Sequence, residues 1–362
     1  MSNLPTITLD DLVEVIDHAG SVIKKNGYRE TVIALGPTGI GKTSTGEAIA
    51  AIRREANPAY GLKVTEFSAW GTEDLKGFGR LNEKDMTTDF LVPRNLPNAE
   101  RDGEFGLWVV DEIDKVGRLR DILRMIVTQG ELENYTFPKG WQIVVMGNER
   151  AHGTKSDKIE TNWFSACLSY NVIPSAEGWI AYDKAHGGSP YVQAFVKGNA
   201  DLIYKFEKGD QAICTPRTWS KASEAVATIT DNPKLLSMIL GGAIGTGAST
   251  MLEAFLKLVA SGQNFPTWNA IMADPMTAPV PDASSKFYTS LMFACITLVN
   301  NRASEIDHMP NVVSYLDRLP KDFAGAAMHG IAMKSAPEGA VDLLDCSAVT
   351  GWRSRNPDVI LG

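Results

Sequence analysis

Residues 33–45 read IALGPTGIGKTST, and this stretch decides the fold. A short apolar strand runs into a glycine-rich turn that ends in Lys42-Thr43, and a helix is expected to follow. The spacing Gly36-x-x-x-x-Gly41-Lys42-Thr43 fits the phosphate-binding loop (P-loop) pattern in full, in the strand-and-helix context that the pattern requires. The stretch therefore predicts a site for a polyphosphate, but it leaves open whether the phosphate is hydrolysed or transferred.

The residues of the loop each have an expected part in holding the phosphates. Backbone amides from Thr38 to Thr43 would surround the α and β phosphates at the positive end of a helix. The Lys42 ammonium would reach the β and γ oxygens, and the Thr43 hydroxyl would bind Mg²⁺. A tight turn that binds nothing is the alternative, and the Lys-Thr pair disfavours it. The predicted nucleotide-binding residues are Gly36, Pro37, Thr38, Gly39, Ile40, Gly41, Lys42, Thr43 and Ser44.

The end of another predicted strand carries two adjacent carboxylates. LWVVDEID at 107–114 is apolar until Asp111 and Glu112, as expected for a central strand of a parallel sheet. Asp111 would hold Mg²⁺ through water, while Glu112 stands where a carboxylate can orient and deprotonate an attacking water. A small-molecule kinase would have little use for that glutamate, so the pair favours hydrolysis. A solvated acidic strand end is the alternative, and the intact P-loop disfavours it.

A polar amide ends the next predicted strand, WQIVVMGN at 141–148. Asn148 can lie between the γ phosphate and Glu112 and hold the water in line. A lone asparagine at a strand end is more often a cap or turn residue. Beside the P-loop and the carboxylate pair, the catalytic role is favoured.

Two short matches raise a GTPase alternative. Asp114 to Gly117 fits Asp-x-x-Gly, and Thr154 to Asp157 resembles the guanine-reading Thr-Lys-x-Asp. Their positions argue against GTP, because the switch aspartate should end the strand, where Asp111 already lies, and the guanine-reading segment should close a strand. ATP is therefore the expected nucleotide, and GTP stays an alternative.

The composition is that of an ordinary globular chain. It has 362 residues, 44% of them apolar, which suits about two domains. A net charge of −8 argues against a generally basic, nucleic-acid-coating surface. The four cysteines and five histidines are scattered without metal-ligand spacing, so free buried thiols are expected. Because the N-terminus lacks a signal-peptide pattern and the apolar run at 291–299 is too short to span a bilayer, we expect no membrane contact and a cytoplasmic location.

Strands and helices alternate along the first half of the chain. A helix is predicted at 9–26, strands at 31–35, 63–69, 107–114 and 141–148, helices at 43–55 and 117–130, and a hairpin near 134–141. The structure of 71–106 is left open. This alternation indicates an α/β core with right-handed crossovers. Past residue 175 the strand signals fade, and helices are predicted at 190–207, 217–229, 247–261 and 284–302. The glycine-rich segment at 241–250 lacks the lysine and the preceding strand of a nucleotide site, so it is interpreted as a close helix contact or a turn.

Four segments together resemble an AAA+ ATPase. GPTGIGKT, LWVVDEID, VVMGN and TPRTW at 215–219 look like the Walker A, Walker B, sensor 1 and sensor 2 segments. Within that class, the stretch from Ser68 to Gly106 resembles the helix-2 insert clade, and the spacing is similar to that of MoxR-type ATPases in a form often encoded by bacteriophages. The resemblance covers roughly residues 30–260. It is consistent with the cytoplasm of a bacterium or of a phage-infected host.

The resemblance implies a fold and an assembly. The fold is a P-loop AAA+ core, with a parallel sheet flanked by helices, followed by a helical lid. We predict a core at 1–214 with the insert at about 70–106, a lid at 215–262 and a C-terminal helical extension of unknown role at 263–362. The implied assembly is a homo-oligomeric ring, usually a hexamer, with ATP and Mg²⁺ between neighbours. The implied partner is a protein client, often joined by a protein with a von Willebrand A domain.

Two arginines receive roles from the resemblance. Arg217, which opens a lid helix after Pro216, matches the sensor 2 arginine that would touch the γ phosphate. The family tends to place an arginine finger in an Asn-Arg-Phe segment, whereas this chain has Trp163 at that place. Arg150 is the candidate finger that would act in a neighbouring subunit. The run GRLRDILR at 117–124 is interpreted as a solvated, salt-bridged helix face.

Three functions compete at this stage. The leading hypothesis is a ring ATPase that remodels a protein partner. The alternative is a nucleic-acid motor or loader, which is not favoured because the charges of the 71–97 stretch are mixed. The aromatic residues Trp70, Phe78 and Phe90 could grip a chain, stack on bases or belong to the core. The third hypothesis is an ATP-gated scaffold with weak turnover.

Overall fold

The structure, a computed structural model, describes residues 4–148, 159–206, 213–262, 264–335 and 343–359. The chain divides into two compact units. The first unit comprises Met1–Gly178 together with Thr215–Arg217, and the second comprises Trp179–Cys214 and Thr218–Gly362. The three-part division predicted from the sequence, with boundaries after residues 214 and 262, stays a prediction.

The first unit contains an α/β core. Its strands are β1 (Thr6–Ile7), β2 (Val32–Gly36), β3 (Gly61–Glu66), β4 (Gly79–Asn82), β5 (Thr87–Phe90), β6 (Gly106–Asp111), β7 (Glu131–Leu132), β8 (Tyr135–Thr136), β9 (Trp141–Asn148) and β10 (Leu168–Val172). Its helices are α1 (Leu9–Ser21), α2 (Ser44–Ala56), α3 (Thr72–Lys76), α4 (Ala99–Asp102), α5 (Gly117–Gln129) and α6 (Thr161–Ala166).

One six-stranded sheet organises this core, in the order β1-β10-β2-β9-β6-β3. All of its pairings are parallel. Strand β2 is buried along its whole length, and β9 is buried except at its last residue, as expected for strands covered on both faces. This confirms the predicted fold class, a P-loop α/β core with a parallel sheet flanked by helices and followed by a mostly helical region.

The carboxyl ends of three neighbouring strands meet at one edge of the sheet. Gly36 at the end of β2 pairs with Asn148 at the end of β9, and β9 also pairs with β6, which ends at Asp111. Parallel strands bring their ends to the same edge, so the P-loop, the amide and the carboxylate pair become neighbours although they are far apart in the sequence.

The stretch whose structure was left open contains an exposed hairpin. Strands β4 and β5 pair only with each other, in antiparallel register. Phe78 is 69% exposed and Met86, near its tip, is 81% exposed. Phe90 is half-buried, while Trp70 stacks on the buried Phe67 with ring centroids 5.4 Å apart. The three aromatic residues of this stretch therefore have different environments.

The second unit is mostly helical. Its helices are α7 (Ala176–Ala185, which begins in the first unit), α8 (Pro190–Gly198), α9 (Pro216–Thr228, which also begins there), α10 (Pro233–Ser261), α11 (Trp268–Ala273), α12 (Tyr288–Arg302), α13 (Met309–Leu316), α14 (Lys321–Ser335) and α15 (Ser347–Arg355). A core around Met292, Tyr315 and Trp352 joins the helices from α11 onward. Helices occur at all four places predicted past residue 175, but the one predicted at 190–207 ends at Gly198 and a 3₁₀ turn follows at Ala200–Ile203. Helices α7, α11 and those after residue 305 were not predicted.

The 29-residue helix α10 is longer than predicted because it includes the glycine-rich stretch at 241–250. Gly245 has φ 77° and ψ 162°, which kinks the helix. An 18-residue window of α10 has a mean hydropathy of 1.5 and is 22% buried, so by length and composition α10 is a candidate membrane span. No span was expected here, because glycine, serine and threonine interrupt the apolar residues of α10.

Candidate nucleotide-binding site

A cavity of about 190 Å³ lies at the carboxyl edge of the sheet in the first unit. It gathers most of the predicted site residues from four separate parts of the sequence. Its lining residues are Thr38, Gly39, Gly41, Lys42, Thr43, Ser44, Glu66, Asp111, Glu112, Asn148 and Arg217. Of the nine predicted loop residues, Gly36, Pro37 and Ile40 support the loop without lining the cavity.

The loop conformation requires glycine. Gly39 has φ +75° and Gly41 has φ +104°, values that residues with a Cβ rarely adopt. A Cβ at Gly36 would lie 2.3 Å from the carbonyl oxygen of Val172 on β10. The Gly39 carbonyl accepts a hydrogen bond of 3.0 Å from the backbone N–H of Arg217. These contacts fix the turn that leads into α2.

Lys42 is a buried cation held by neutral oxygens. Its side chain is 6% exposed, and Nζ donates to the carbonyls of Gly36 at 3.0 Å and Pro37 at 2.7 Å, and to Asn148 Oδ1 at 3.3 Å. Burial lowers the pKa of Lys42 to about 8, although the negative charges of Asp111 and Asp114 oppose the shift. A phosphate at this place would supply the counter-charge that the carbonyls lack.

Thr43 and Asp111 form a pair of hard oxygen donors. The Thr43 hydroxyl donates to Asp111 Oδ2, and Asp111 Oδ1 accepts from the backbone N–H of Glu112 at 2.7 Å. A hydroxyl and a carboxylate beside a phosphate site are the donor set that Mg²⁺ prefers, with the remaining ligands from water and phosphate. The residues present therefore fit a magnesium ion.

Glu112 is engaged by two side chains. It has a left-handed backbone with φ 59° and ψ 32°, which is uncommon for a residue other than glycine. Ser68 donates to Oε2, and Lys115 donates to Oε1. Burial raises the pKa of the Glu112 carboxyl, but the hydrogen bonds and the charge of Lys115 outweigh it, and the pKa is lowered overall. Glu112 is thus ionised, with both carboxylate oxygens occupied.

The two predicted arginines differ in what the structure shows. Arg217 lines the cavity near the start of α9, and its positive charge lowers the pKa of Lys42 after the larger effect of burial. Arg150 lies outside the described residues, so its role stays a prediction. Trp163 is fully buried in the core, and that position offers nothing to a neighbouring chain.

The solvated face predicted for α5 is confirmed for exposed Arg118, but the prediction is wrong for the exposure of Arg120. Arg120 was expected on a solvated face of α5, but it is 2% exposed. It donates to Glu160 Oε1 at 2.9 Å and to the carbonyl of Ile113 at 3.4 Å. The charge pattern alone did not reveal these partners, because Glu160 is distant in the sequence.

Sequence reasoning also missed two residues at the site. Glu66 ends β3 beside Asp111 and lines the cavity, while Ser68 binds the Glu112 carboxylate. The sequence offers one signal for Glu66, a carboxylate at the end of a predicted parallel strand. Ser68 has no signal of its own, since any short polar residue after that strand would look the same.

No protein-family model matches the sequence, and no curated protein matches it. Among solved structures, the chain is similar to a candidate ATPase from Cytophaga hutchinsonii, with a TM-score of 0.33 and 8% identity over 68% of this chain and 88% of that one. It is also similar to PCH-2 from C. elegans, with a TM-score of 0.34 and 13% identity over 70% of this chain and 68% of that one. The likeness concerns the fold.

Proposed function

We propose that this chain is a magnesium-dependent ATPase of the AAA+ kind, which uses ATP hydrolysis to remodel a protein partner. One observation carries the proposal: the carboxylate pair at the end of β6 lines the same cavity as the P-loop lysine and threonine. A phosphate-binding turn alone would fit a kinase or a binding protein. A second carboxylate beside the magnesium aspartate supports hydrolysis.

The loop and Lys42 would bind the phosphates. Backbone amides at the start of α2 would donate to the α and β oxygens, and the Lys42 ammonium would exchange carbonyl partners for the β and γ oxygens. Asn148, already within 3.3 Å of Lys42 Nζ, would contact the γ phosphate. Arg217 would approach the same phosphate from the start of α9. Thr43 and Asp111 would hold Mg²⁺, which would neutralise charge on the phosphates.

Glu112 would activate the attacking water after a change of partners. Its two carboxylate oxygens each accept a hydrogen bond, from Ser68 and from Lys115, and these donors lower its basicity toward an attacking water. Release from Lys115 would free one oxygen and raise the pKa of the carboxyl toward its ordinary value. We propose that assembly or client binding brings about this change of partners.

A homo-oligomeric ring, in the manner of MoxR-type hexamers, completes the proposal. An arginine finger, supplied in cis or by a neighbouring subunit, normally stabilises the transition state of phosphoryl transfer. Trp163 cannot serve as that finger, because its indole has no positive charge and it is buried. Arg150 stays the proposed finger. The exposed hairpin β4–β5, with Phe78 and Met86 outward, favours a protein client over a nucleic acid. A nucleic-acid motor and a weakly hydrolysing ATP-gated scaffold remain the competing functions.

Phosphate release by the purified chain tests the proposal. ATP and GTP should be compared, with and without magnesium, for the wild type and for Lys42→Ala and Glu112→Gln. We expect magnesium-dependent turnover of ATP, loss of binding in Lys42→Ala, and retained binding with turnover lowered on the order of 100-fold or more in Glu112→Gln. Glu55→Gln, at an exposed position on α2, is the matched control and should behave as the wild type.

The mass in solution of Glu112→Gln with ATP separates the assembly hypotheses. The chain has a mass of 39.3 kDa, and a trapped hexamer would show about six times that value. ATP binding without turnover in the assembled wild type would favour the scaffold. ATPase activity stimulated by single-stranded DNA, with salt-sensitive binding, would favour the nucleic-acid motor. Failure to bind any nucleotide would contradict the proposal.

A further inference from the structure

Asp114 is a buried carboxylate that the proposed reaction does not use directly. It lies in the short 3₁₀ turn Ile113–Lys115, directly after Glu112, and is 1% exposed. Its Oδ1 accepts a hydrogen bond of 2.8 Å from the backbone N–H of Asn148. Asp114 is absent from the residues that line the cavity, so apart from the attraction between its charge and Lys42, its described contact with the site is the hydrogen bond to β9.

This hydrogen bond extends the contact between two strands beyond their ladder. The parallel pairing of β6 and β9 ends at Val110 and Val145. Beyond the end of this ladder, the Asp114 side chain accepts the backbone N–H of Asn148, which lies three residues after Val145. On its other side, Asn148 pairs with Gly36 at the start of the P-loop. The backbone of Asn148 is therefore held from both sides, by the P-loop strand and by the turn that follows Glu112.

The fit around this contact is close. A Cβ at Gly147 would lie 3.0 Å from Ile113 Cγ2 and 3.2 Å from Asp114 Oδ1, so glycine lets β9 approach the turn. With its backbone fixed in this way, Asn148 directs Oδ1 at Lys42 Nζ, 3.3 Å away. A chain of contacts thus joins Asp114 to Asn148 and Asn148 to the P-loop lysine.

The burial of Asp114 lowers the stability of the fold. Asp114 Oδ2 is buried and has no hydrogen-bond partner among the described residues, and burying an incompletely satisfied carboxylate is unfavourable. A neutral side chain in the turn would avoid this cost. Groups that are retained against stability are expected at functional sites. The geometry also removes the switch-aspartate interpretation of Asp114-x-x-Gly117, since the carboxylate binds the β9 backbone.

We infer that Asp114 is a positioning residue, which fixes the backbone of Asn148 and thereby the place of the Asn148 amide between Lys42 and the terminal phosphate. The inference rests on the proposed ATPase function of the same site.

Two substitutions of Asp114 test the inference by kinetics. Asp114→Leu removes the acceptor, whereas Asp114→Asn keeps an acceptor oxygen of the same reach. We expect Asp114→Leu to lower kcat for ATP by about 10-fold to 100-fold, with KM and the nucleotide Kd little changed, and Asp114→Asn to restore most of the rate. Asp121→Asn, at an exposed position on α5, is the matched control. Equal losses in both Asp114 variants would overturn the inference.

Hydrogen exchange at the Asn148 amide tests the same contact without any turnover. We expect faster exchange in Asp114→Leu than in the wild type and near-normal protection in Asp114→Asn. Unchanged protection in Asp114→Leu would overturn the positioning role, whatever the ATPase result. If the wild type hydrolyses no ATP but the Asn148 amide loses protection as expected, the positioning contact stands and the proposed function fails. If Asp114→Leu does not fold, unprotected Asn148 in the folded Asp114→Asn would overturn the inference.

Discussion

Each unit of this protein contains a glycine-rich segment, and the two behave in opposite ways. In GPTGIGKT at 36–43, a methyl group at any of the three glycines would meet another part of the first unit within 3.2 Å. In GGAIGTGAST at 241–250, Gly241, Gly242 and Gly247 have no described heavy atom within 4 Å of an added Cβ. The first segment forms the phosphate-binding turn, called the cradle below, which ends in the buried cation Lys42, and the second is part of a kinked helix. Glycine content alone therefore predicts neither of these two conformations.

The largest effect should come from a methyl group in the cradle. Gly41 has φ +104°, so Gly41→Ala would strain the backbone or turn its amides away from the phosphates. If the backbone relaxes to escape strain of about 1–3 kcal/mol, restoring the phosphate-binding conformation would lower the ATP affinity by about 5-fold to 150-fold. Calorimetric titration with ATP and magnesium measures this loss. Gly242→Ala, with open space around it, is the control, and near-equal ATP affinity in the two variants would contradict the comparison.

The features that sequence could predict in the first unit are those with a strong local pattern. The runs that become β2, β6 and β9 are almost wholly apolar and alternate with predicted helices, so their burial and parallel pairing could be predicted. Strand β1 has two residues, and β10 is half-buried along LSYNV, so neither has a pattern that separates it from a loop. The hairpin β4–β5 is exposed on most of its residues, which leaves no alternation to detect.

The candidate site divides in the same way. Lys42, Thr43, Asp111 and Glu112 belong to short motifs, and parallel pairing alone brings their strand ends together. Ser68 reaches Glu112 across 44 residues of sequence, and no motif records that contact. Buried Arg120 was predicted on the surface, because the pattern of charges on a helix does not show which partner lies opposite.

The next largest effect should come from replacing the glycine at the kink of the second segment, and it concerns the free energy of unfolding. Gly245 has φ 77° and ψ 162° inside α10, a backbone conformation that is essentially restricted to glycine. We expect Gly245→Ala to lower the free energy of unfolding by about 1–3 kcal/mol, measured by urea denaturation. A gain in stability would contradict this expectation and show that α10 can straighten without loss of packing.

The cation at the end of the cradle should make ATP affinity depend on pH. Burial lowers the pKa of Lys42 to about 8, and a bound phosphate would raise it again, so binding takes up a proton above that pH. We expect ATP affinity to fall with rising pH above about 8, by at most about tenfold per pH unit. Calorimetry in buffers of different ionisation enthalpy measures both the affinity and the proton uptake.

The variant Lys42→Met is the control for this pH dependence. The ATP affinity of Lys42→Met should be weak and should not show the pH dependence that comes from the lysine. If the ATP affinity of the wild type changes with pH no more than that of the variant, the shifted pKa of Lys42 is contradicted. Stability of the nucleotide-free protein should change in the opposite sense. The unfolded chain keeps the Lys42 proton up to the ordinary pKa of 10.5, so between about pH 8 and 10.5 it binds more protons than the folded chain. Relative to Lys42→Met, the wild type should therefore gain stability as the pH rises through that range.

The smallest effect should come from a methyl group on the open face of α10. Gly247 is exposed and helical, with no described neighbour for a Cβ, so Gly247→Ala should change little except the freedom of the unfolded chain. We expect a gain of about 0.5–1 kcal/mol in the free energy of unfolding, measured as a higher urea midpoint with an unchanged m-value. A loss of stability would mean that something lies against this face in solution. If that loss of stability grew with protein concentration, the neighbour at Gly247 would be a second copy of the chain. Both glycine-rich segments would then owe their glycines to close contacts.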